Sequence, residues 1–354
     1  MEKFCVFCGN KPDSKNMEHI IPKWLIELTG DLHRKISLGY DFNKDEPTIR
    51  EFSFNSFRFP SCKACNSRFG NLEGLTKPII IKMLGKNPIS DIEINILLDW
   101  LDKIRIGLWL AFHYLDKNYF GIDPNYYISF RNAATDRMVA IYYTNKDMQR
   151  INFIGVNVPI FYYNPCCFTF CINNLILFNM STQFLFARRI GFPFPESMFQ
   201  MENGKMEVNI VRGLHRFILP LIKRPFIKPC SEFYQPMFGH QEYQPIRNIF
   251  YDNEFVRKYS MDWEKGIGKV FIQEDKSLSV YPNEEDCIWQ PEEIYEREYL
   301  DHKLGIQTLE FQIYLSKLGP SIEKLPKEIK KEAKAQSSFS RNINKLLIKK
   351  MERI

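Results

Sequence analysis

Cys5-Val-Phe-Cys8, Glu18-His19-Ile20-Ile21-Pro22 and Cys62-Lys63-Ala64-Cys65-Asn66 decide how the first part of this chain folds. A CxxC turn points both of its sulfurs at one point, so Cys5, Cys8, Cys62 and Cys65 supply the four thiolates of a closed tetrahedral zinc site. The gap between Cys8 and Cys62 exceeds that of a plain zinc ribbon. It suits a metal that clamps the base of an inserted hairpin, and a module this small takes much of its folding energy from the metal. A structural zinc finger has no use for the acid-histidine pair between the knuckles, nor for an amide directly after the last cysteine.

Working outward, Gly9 supplies the tight turn after Cys8. Met17 to Ile21 reads as a short extended segment stopped by Pro22. Residues 36–40 and 47–59 alternate apolar and polar positions (Ile36, Leu38, Tyr40; then Phe52, Phe54, Phe57, Phe59), which predicts a hairpin. The second knuckle leads into a helix from about Asn66.

With these residues in place, the chain resembles the HNH endonucleases, in the zinc-containing branch with an EHIIP motif and a C-terminal CxxCN knuckle. Arg68-Phe69-Gly70-Asn71-Leu72-Glu73 also looks like the helix start of that branch. The resemblance covers roughly residues 1–80, under a quarter of the chain. It implies an α+β protein with an N-terminal zinc-bound ββα-metal module, hydrolysing DNA phosphodiester bonds. It also implies His19 as general base and Glu18 and Asn66 as ligands of a catalytic divalent cation, Mg²⁺ or Mn²⁺. The family's middle asparagine orients the histidine. Asn55 is the asparagine in that stretch, although it lies further upstream of Cys62 than expected. The Gly-Gly that often follows the proline is replaced by Lys23-Trp24-Leu25-Ile26. Modular nucleases of this kind are frequent in anti-phage defence and restriction.

The residue chemistry agrees with that implication. A neutral imidazole takes a proton near pH 7, and a hard cation wants oxygen ligands and keeps several waters. Each residue also has a plainer reading. An isolated Glu-His dipeptide is usually surface decoration, Asn66 is a good helix cap, and Asn55 is an ordinary strand residue. Glu73 lies two helical turns after Asn66 on the same face and reads as a solvated helix acid or a second acid near the metal. Lys63 and Arg68 are candidates for phosphate contacts or ordinary surface cations. On a strand, Glu18 and His19 face opposite sides, so sharing one site requires a local bend.

The chain has 354 residues, which suggests two domains, 1–90 and 91–354. Its 45% hydrophobic content, with 15% aromatics, is ample for a buried core and argues against wholesale disorder. Net charge is +6, and its distribution says more than its size. Residues 1–90 hold 14 Lys/Arg against 10 Asp/Glu, and residues 323–354 hold 10 against 4, so the basic charge lies at the two ends. Nine cysteines, four of them committed to CxxC pairs, together with a start lacking a signal peptide's apolar core, predict a reducing cytoplasm. No run approaches the ~20 apolar residues of a membrane span.

Beyond residue 90, Leu97, Trp100, Leu101, Ile104, Leu108, Phe112 and Leu115 recur at helical spacing and predict an amphipathic helix over about 92–116. Residues 125–220 read as β-rich, with runs such as Met138–Tyr143 and Phe168–Phe178. From about Pro291 the pattern turns helical, with breaks at Gly319-Pro320 and Pro326 and a flexible joint over Gln336–Ser340. Cys166, Cys167 and Cys171 read as buried apolar residues. His113 reads as packed in its helix, His215 as a solvated edge or anion contact, and His33, His240 and His302 as having no partner spacing. Lys345-Leu-Leu-Ile-Lys349-Lys350 is a basic amphipathic helix that tracks a nucleic-acid backbone or caps the domain.

No acid cluster or phosphate-cradling glycine loop appears in residues 91–354. That region is expected to recognise substrate, sense a trigger or mediate assembly with a second copy or a partner protein. The rival functions are a non-catalytic zinc-dependent nucleic-acid-binding module and an RNA-directed nuclease.

Overall fold

The computed structural model describes residues 3–13, 15–41, 48–115, 136–145, 148–182, 193–204, 206–212, 227–235, 270–274, 277–281, 294–317 and 326–353. His215, His240 and the Gly319-Pro320 break lie outside them. The fold mixes helix and strand, as the sequence predicts.

The first part is built on a ladder between two very short strands, β1 (Met17–His19) and β4 (Arg58–Pro60), antiparallel with Met17 opposite Pro60 and His19 opposite Arg58. Everything between them is inserted: helix α1 (Lys23–Leu28), then the hairpin β2 (Lys35–Asp41) and β3 (Thr48–Ser53). The residues standing where the family often has Gly-Gly are therefore the first turns of a helix, which buries Leu25 and Ile26 and stacks Trp24 on Trp100. After β4 comes α2 (Lys63–Leu84), which starts at Lys63 and not at Asn66. Cys62 is its N-cap residue, and the free N–H of Lys63 donates to Asp13 Oδ1 at 3.1 Å. The second CxxC turn is thus already helix.

Helix α3 (Asp91–Leu115) matches the predicted amphipathic segment within a residue at each end. It lies against a seven-stranded, all-antiparallel sheet ordered β13-β12-β11-β5-β8-β7-β6. These strands are β5 (Asp136–Tyr143), β6 (Ile151–Ile154), β7 (Cys167–Ile172), β8 (Leu175–Thr182), β11 (Ser231–Gln235), β12 (Phe271–Glu274) and β13 (Ser277–Val280). A short helix α4 (Pro159–Tyr163) joins β6 to β7. Strands β9 (Pro193–Gln200) and β10 (Met206–Arg212) form a separate two-stranded hairpin.

Strands β5 and β7 are buried at every position, and β8 at all but its last, because helices cover both faces. Phe170 on one face of β7 packs on Trp100 of α3. On the opposite face, Thr169 meets Thr308 of α5 (Arg297–Ser316), with the hydroxyl oxygens 2.7 Å apart. Phe178 of β8 likewise packs on Phe311 of α5. The C-terminal helices are therefore a layer of the sheet domain. The last, α6 (Lys327–Met351), runs unbroken through Gln336–Ser340, where a joint was expected. Ser340 is buried and its hydroxyl donates to Gln336 O, so the serine-rich stretch is held by packing and back-bonding. Cys166, Cys167 and Cys171 are buried in the sheet, as expected. Among the described residues, no helix is long and apolar enough to cross a membrane.

Candidate metal centre and acid-histidine site

The chain before β1 returns to the end of β4 through backbone bonds: Val6 N–H donates to Pro60 O and Ser61 N–H to Asn16 O. These bonds bring the two knuckles together at the base of the inserted α1 and hairpin. Gly9 closes the first knuckle with φ +76°, a conformation glycine adopts without strain. The sulfurs of Cys5, Cys8, Cys62 and Cys65 all lie within 4.8 Å of one another, and those of Cys8 and Cys62 are 3.9 Å apart. A tetrahedron with metal–sulfur bonds of 2.3 Å has edges of about 3.8 Å. The cluster therefore fits a structural metal ion such as zinc.

The electrostatics of the cluster support that fit. Burial works against the Cys5 thiolate, but backbone donors from Cys62, Cys8 and Phe7 outweigh it and hold Cys5 below its ordinary value. The Cys62 N–H reaches Cys5 Sγ at 3.3 Å. Burial, together with the neighbouring Cys5 charge, then pushes Cys62 up to about 11 and Cys65 higher still. Four thiolates at this spacing repel one another, and a dication at their centre removes the conflict.

Glu18 and His19 lie on β1 itself. Directly opposed residues of an antiparallel pair share a face, so His19 lies on the face of Arg58 and Glu18 on that of buried Phe59. β1 ends at His19, and the chain turns through Ile20–Pro22 into α1. His19 is half-buried, and its Nδ1 is fully enclosed with no hydrogen-bond partner among the described residues. Burial, then the charges of Arg58, Lys103 and Lys23, push its pKa down to about 4, so the ring is neutral at pH 7. Glu18 is only 13% exposed. Burial pushes it up to about 7, against the pull of Lys103 and with a further push from Glu73.

The structure brings Glu73 into this group. Its side chain is 12% exposed and ion-paired to Lys103, so it is no solvated helix acid. Burial raises its pKa and the Lys103 ammonium offsets part of the rise. Asn66 is half-buried in the first turn of α2, four residues after Cys62, whose carbonyl accepts its backbone N–H at 2.9 Å. It is not the cap of that helix. Asn55 lies on a 3₁₀ turn (Phe54–Ser56) just ahead of β4 and makes no hydrogen bond to His19. Lys63 is exposed at the start of α2, and the Arg68 guanidinium lies 5.6 Å from the Phe69 ring centre. The cations that act on His19 are Arg58, Lys103 and Lys23, none of which was singled out by its sequence context.

Among the described residues, the four cysteines are the one group of three or more His, Cys, Asp or Glu side chains close enough to hold a metal together. Glu18 is not part of that group. Comparison with protein-family models, curated proteins and solved structures found no match.

Proposed function

We propose that this protein is a metal-dependent endonuclease of HNH type that hydrolyses DNA phosphodiester bonds, with zinc on Cys5, Cys8, Cys62 and Cys65. The observation that carries this reading is a neutral, half-buried imidazole, His19, set among three cations and next in chain to a buried carboxylate. A histidine that serves only packing needs no such positive surroundings, whereas a base acting beside a phosphodiester does.

In this reading His19 takes the proton of the attacking water. Its surroundings keep it unprotonated without a substrate, so the base is ready at neutral pH. Glu18 and Asn66 hold the catalytic divalent cation, Mg²⁺ or Mn²⁺. When bound, that cation supplies Lewis-acid polarisation of the phosphate and stabilises the departing 3′ oxygen. Arg58 is exposed, shares the His19 face and has no acidic partner among the described residues, so it can meet a phosphate oxygen. Lys23, in a 3.7 Å ion pair with Glu27, also acts on His19 through its charge. Lys63 and Arg68 extend the basic surface along the start of α2, while Asn55, on the turn ahead of β4, makes no bond to His19 and is given no orienting role.

The test is plasmid nicking with and without Mg²⁺ or Mn²⁺, comparing wild type with His19→Ala while zinc content is measured. Cleavage should require the divalent cation, and His19→Ala should lower it by at least about 10²-fold with zinc retained. Undiminished cleavage by His19→Ala would place the base elsewhere. DNA binding without cleavage by the wild type would favour the zinc-dependent binding module, and a parallel RNA substrate decides which sugar is accepted.

A further inference from the structure

We propose that Lys103, which lies beyond the first ninety residues, is a positioning residue of the acid-histidine site. Its buried ammonium pairs with Glu73, lies against Glu18 and aims that second carboxylate at one divalent cation. The purpose of this arrangement rests on the nuclease reading, but its measurement does not.

Lys103 projects from α3 and its side chain is wholly buried. Its Nζ is ion-paired to Glu73, lies 3.9 Å from Glu18 Oε1, and donates to the carbonyls of His19 at 3.3 Å and Ile20 at 3.5 Å. It also lies 5.7 Å from the ring centre of Phe7, inside the first knuckle, and Phe7 stacks on Phe69 of α2. One ammonium therefore touches the zinc knuckle, the Glu18-His19 strand and the helix of the second knuckle. Gly107, one turn further along α3, allows this approach. A Cβ there would come within 2.7 Å of Ile20 Cγ2, so only glycine lets the helix lie this close to the residue after His19.

Packing alone does not explain a lysine here. Leu101, Ile104 and Ile106 around it are buried hydrophobics, Asp102 and Arg105 are paired to each other, and burying a further ammonium is costly unless it does electrostatic work. Charge counting identifies that work. With Glu18 and Glu73 ionised, the trio carries −1, and a divalent cation brings it to +1, which matches the single negative charge of a phosphodiester. Without Lys103 the two acids would hold the cation in a neutral cluster that no longer draws the phosphate. The ammonium also repels the cation it helps to place, so losing it should tighten cation binding while cleavage falls.

The measurement is Mn²⁺ binding to the zinc-loaded full-length chain, read from the electron paramagnetic resonance signal of free Mn²⁺, with zinc content and melting temperature as fold controls. Lys103→Met should bind Mn²⁺ at least tenfold more tightly and cleave more slowly. Lys103→Arg, which keeps the charge, should change Mn²⁺ affinity far less. A folded Lys103→Met protein that binds Mn²⁺ as the wild type does, or more weakly, overturns the proposal. If Lys103→Met loses its zinc, Glu73→Gln decides. It leaves the ammonium to Glu18 alone and should weaken Mn²⁺ binding, and unchanged affinity overturns the proposal. Metal-dependent nicking with Mn²⁺ affinity indifferent to residue 103 sinks this inference alone. The Lys103 effect on Mn²⁺ without nicking sinks the nuclease reading alone.

Discussion

The segment up to α2 and the seven-stranded sheet solve the same stability problem in opposite ways. The first has strands of three residues, a long insertion and polar groups gathered at its centre, and four cysteines close it. The second has no comparable cysteine group among the described residues. It buries both faces of β5, β7 and β8 between α3 and α5, so packing and a few buried polar pairs hold it. Among the described residues, enclosed polar atoms without a hydrogen-bond partner occur in both regions, His19 Nδ1 in the first and Trp100 Nε1 and Gln307 Oε1 in the second. Helix α3 belongs to both regions. Trp100 and Phe170 bind it to the sheet, while Lys103 and the Phe4–Tyr114 backbone-to-hydroxyl bonds bind it to the metal-centred part.

The largest expected effect breaks this contrast from the metal side. Cys62→Ser, or a strong chelator, should release one zinc per chain. A structural zinc site supplies on the order of 10 kcal/mol, far more than β1 and β4 can replace. The first eighty residues should then lose protection from hydrogen exchange while β5, β7 and β8 keep theirs. Metal analysis together with exchange mapping reads both. Equal loss of protection in the sheet would mean that the two regions fold as one unit.

Much of this division was legible in the sequence. The CxxC spacing identified the cysteine cluster and the period of Leu97 to Leu115 the helix α3, while the expected hairpin over 36–40 and 47–59 holds only as far as Ser53, since Phe54 lies in a 3₁₀ turn and Phe59 in β4, which pairs with β1. What escaped were contacts that depend on distant chain. Lys103 is 84 residues from His19 and 30 from Glu73, and no local pattern joins them. The available signal was the placement of Asp102, Lys103 and Arg105 within an otherwise apolar helix, since charges there must be paired. The same logic covers Asp102 and Arg105, which are buried and ion-paired to each other, with Arg105 also donating to Asn179 at 2.9 Å. Double-sided burial of the central strands was equally hidden, because it depends on α5, more than a hundred residues further along the chain.

A second, smaller effect sharpens the comparison through pH. Glu232 of β11 is buried and accepts the Tyr234 hydroxyl at 2.7 Å. Burial pushes its pKa to about 7, only partly offset by Tyr234 and Lys228. Between the ordinary value of 4.5 and about 7 the folded protein keeps a proton that the unfolded chain has lost. Sheet stability should therefore fall as pH rises through that window, by on the order of 3 kcal/mol. The cysteine cluster should respond in the opposite direction, because protons compete with the metal for the thiolates as pH falls. Glu232→Gln should flatten the response of the sheet and raise its melting temperature at pH 8, leaving the pH of zinc release unchanged. An unaltered slope in Glu232→Gln would assign the pH dependence to another group.

The smallest effect concerns the two basic ends of the chain. Helix α6 buries Ser340, Asn344 and Ile348, four residues apart, and Asn344 donates to Leu309 O at 3.3 Å and Gln312 Oε1 at 3.0 Å. Deleting the last turns would therefore strip a layer from the sheet domain and confuse binding with folding. The exposed face carries Lys345, Lys349 and Lys350, which can be changed without touching that seam. Replacing all three by Ala should alter stability by no more than about 0.5 kcal/mol. If α6 tracks a nucleic-acid backbone alongside the N-terminal site, the dependence of log affinity on log salt should become shallower. Each lost phosphate contact contributes about 0.9 to that slope on duplex DNA. A slope that does not move would leave α6 as a packing layer and confine the nucleic-acid surface to the metal-centred part, where Arg58 and Lys23 flank His19.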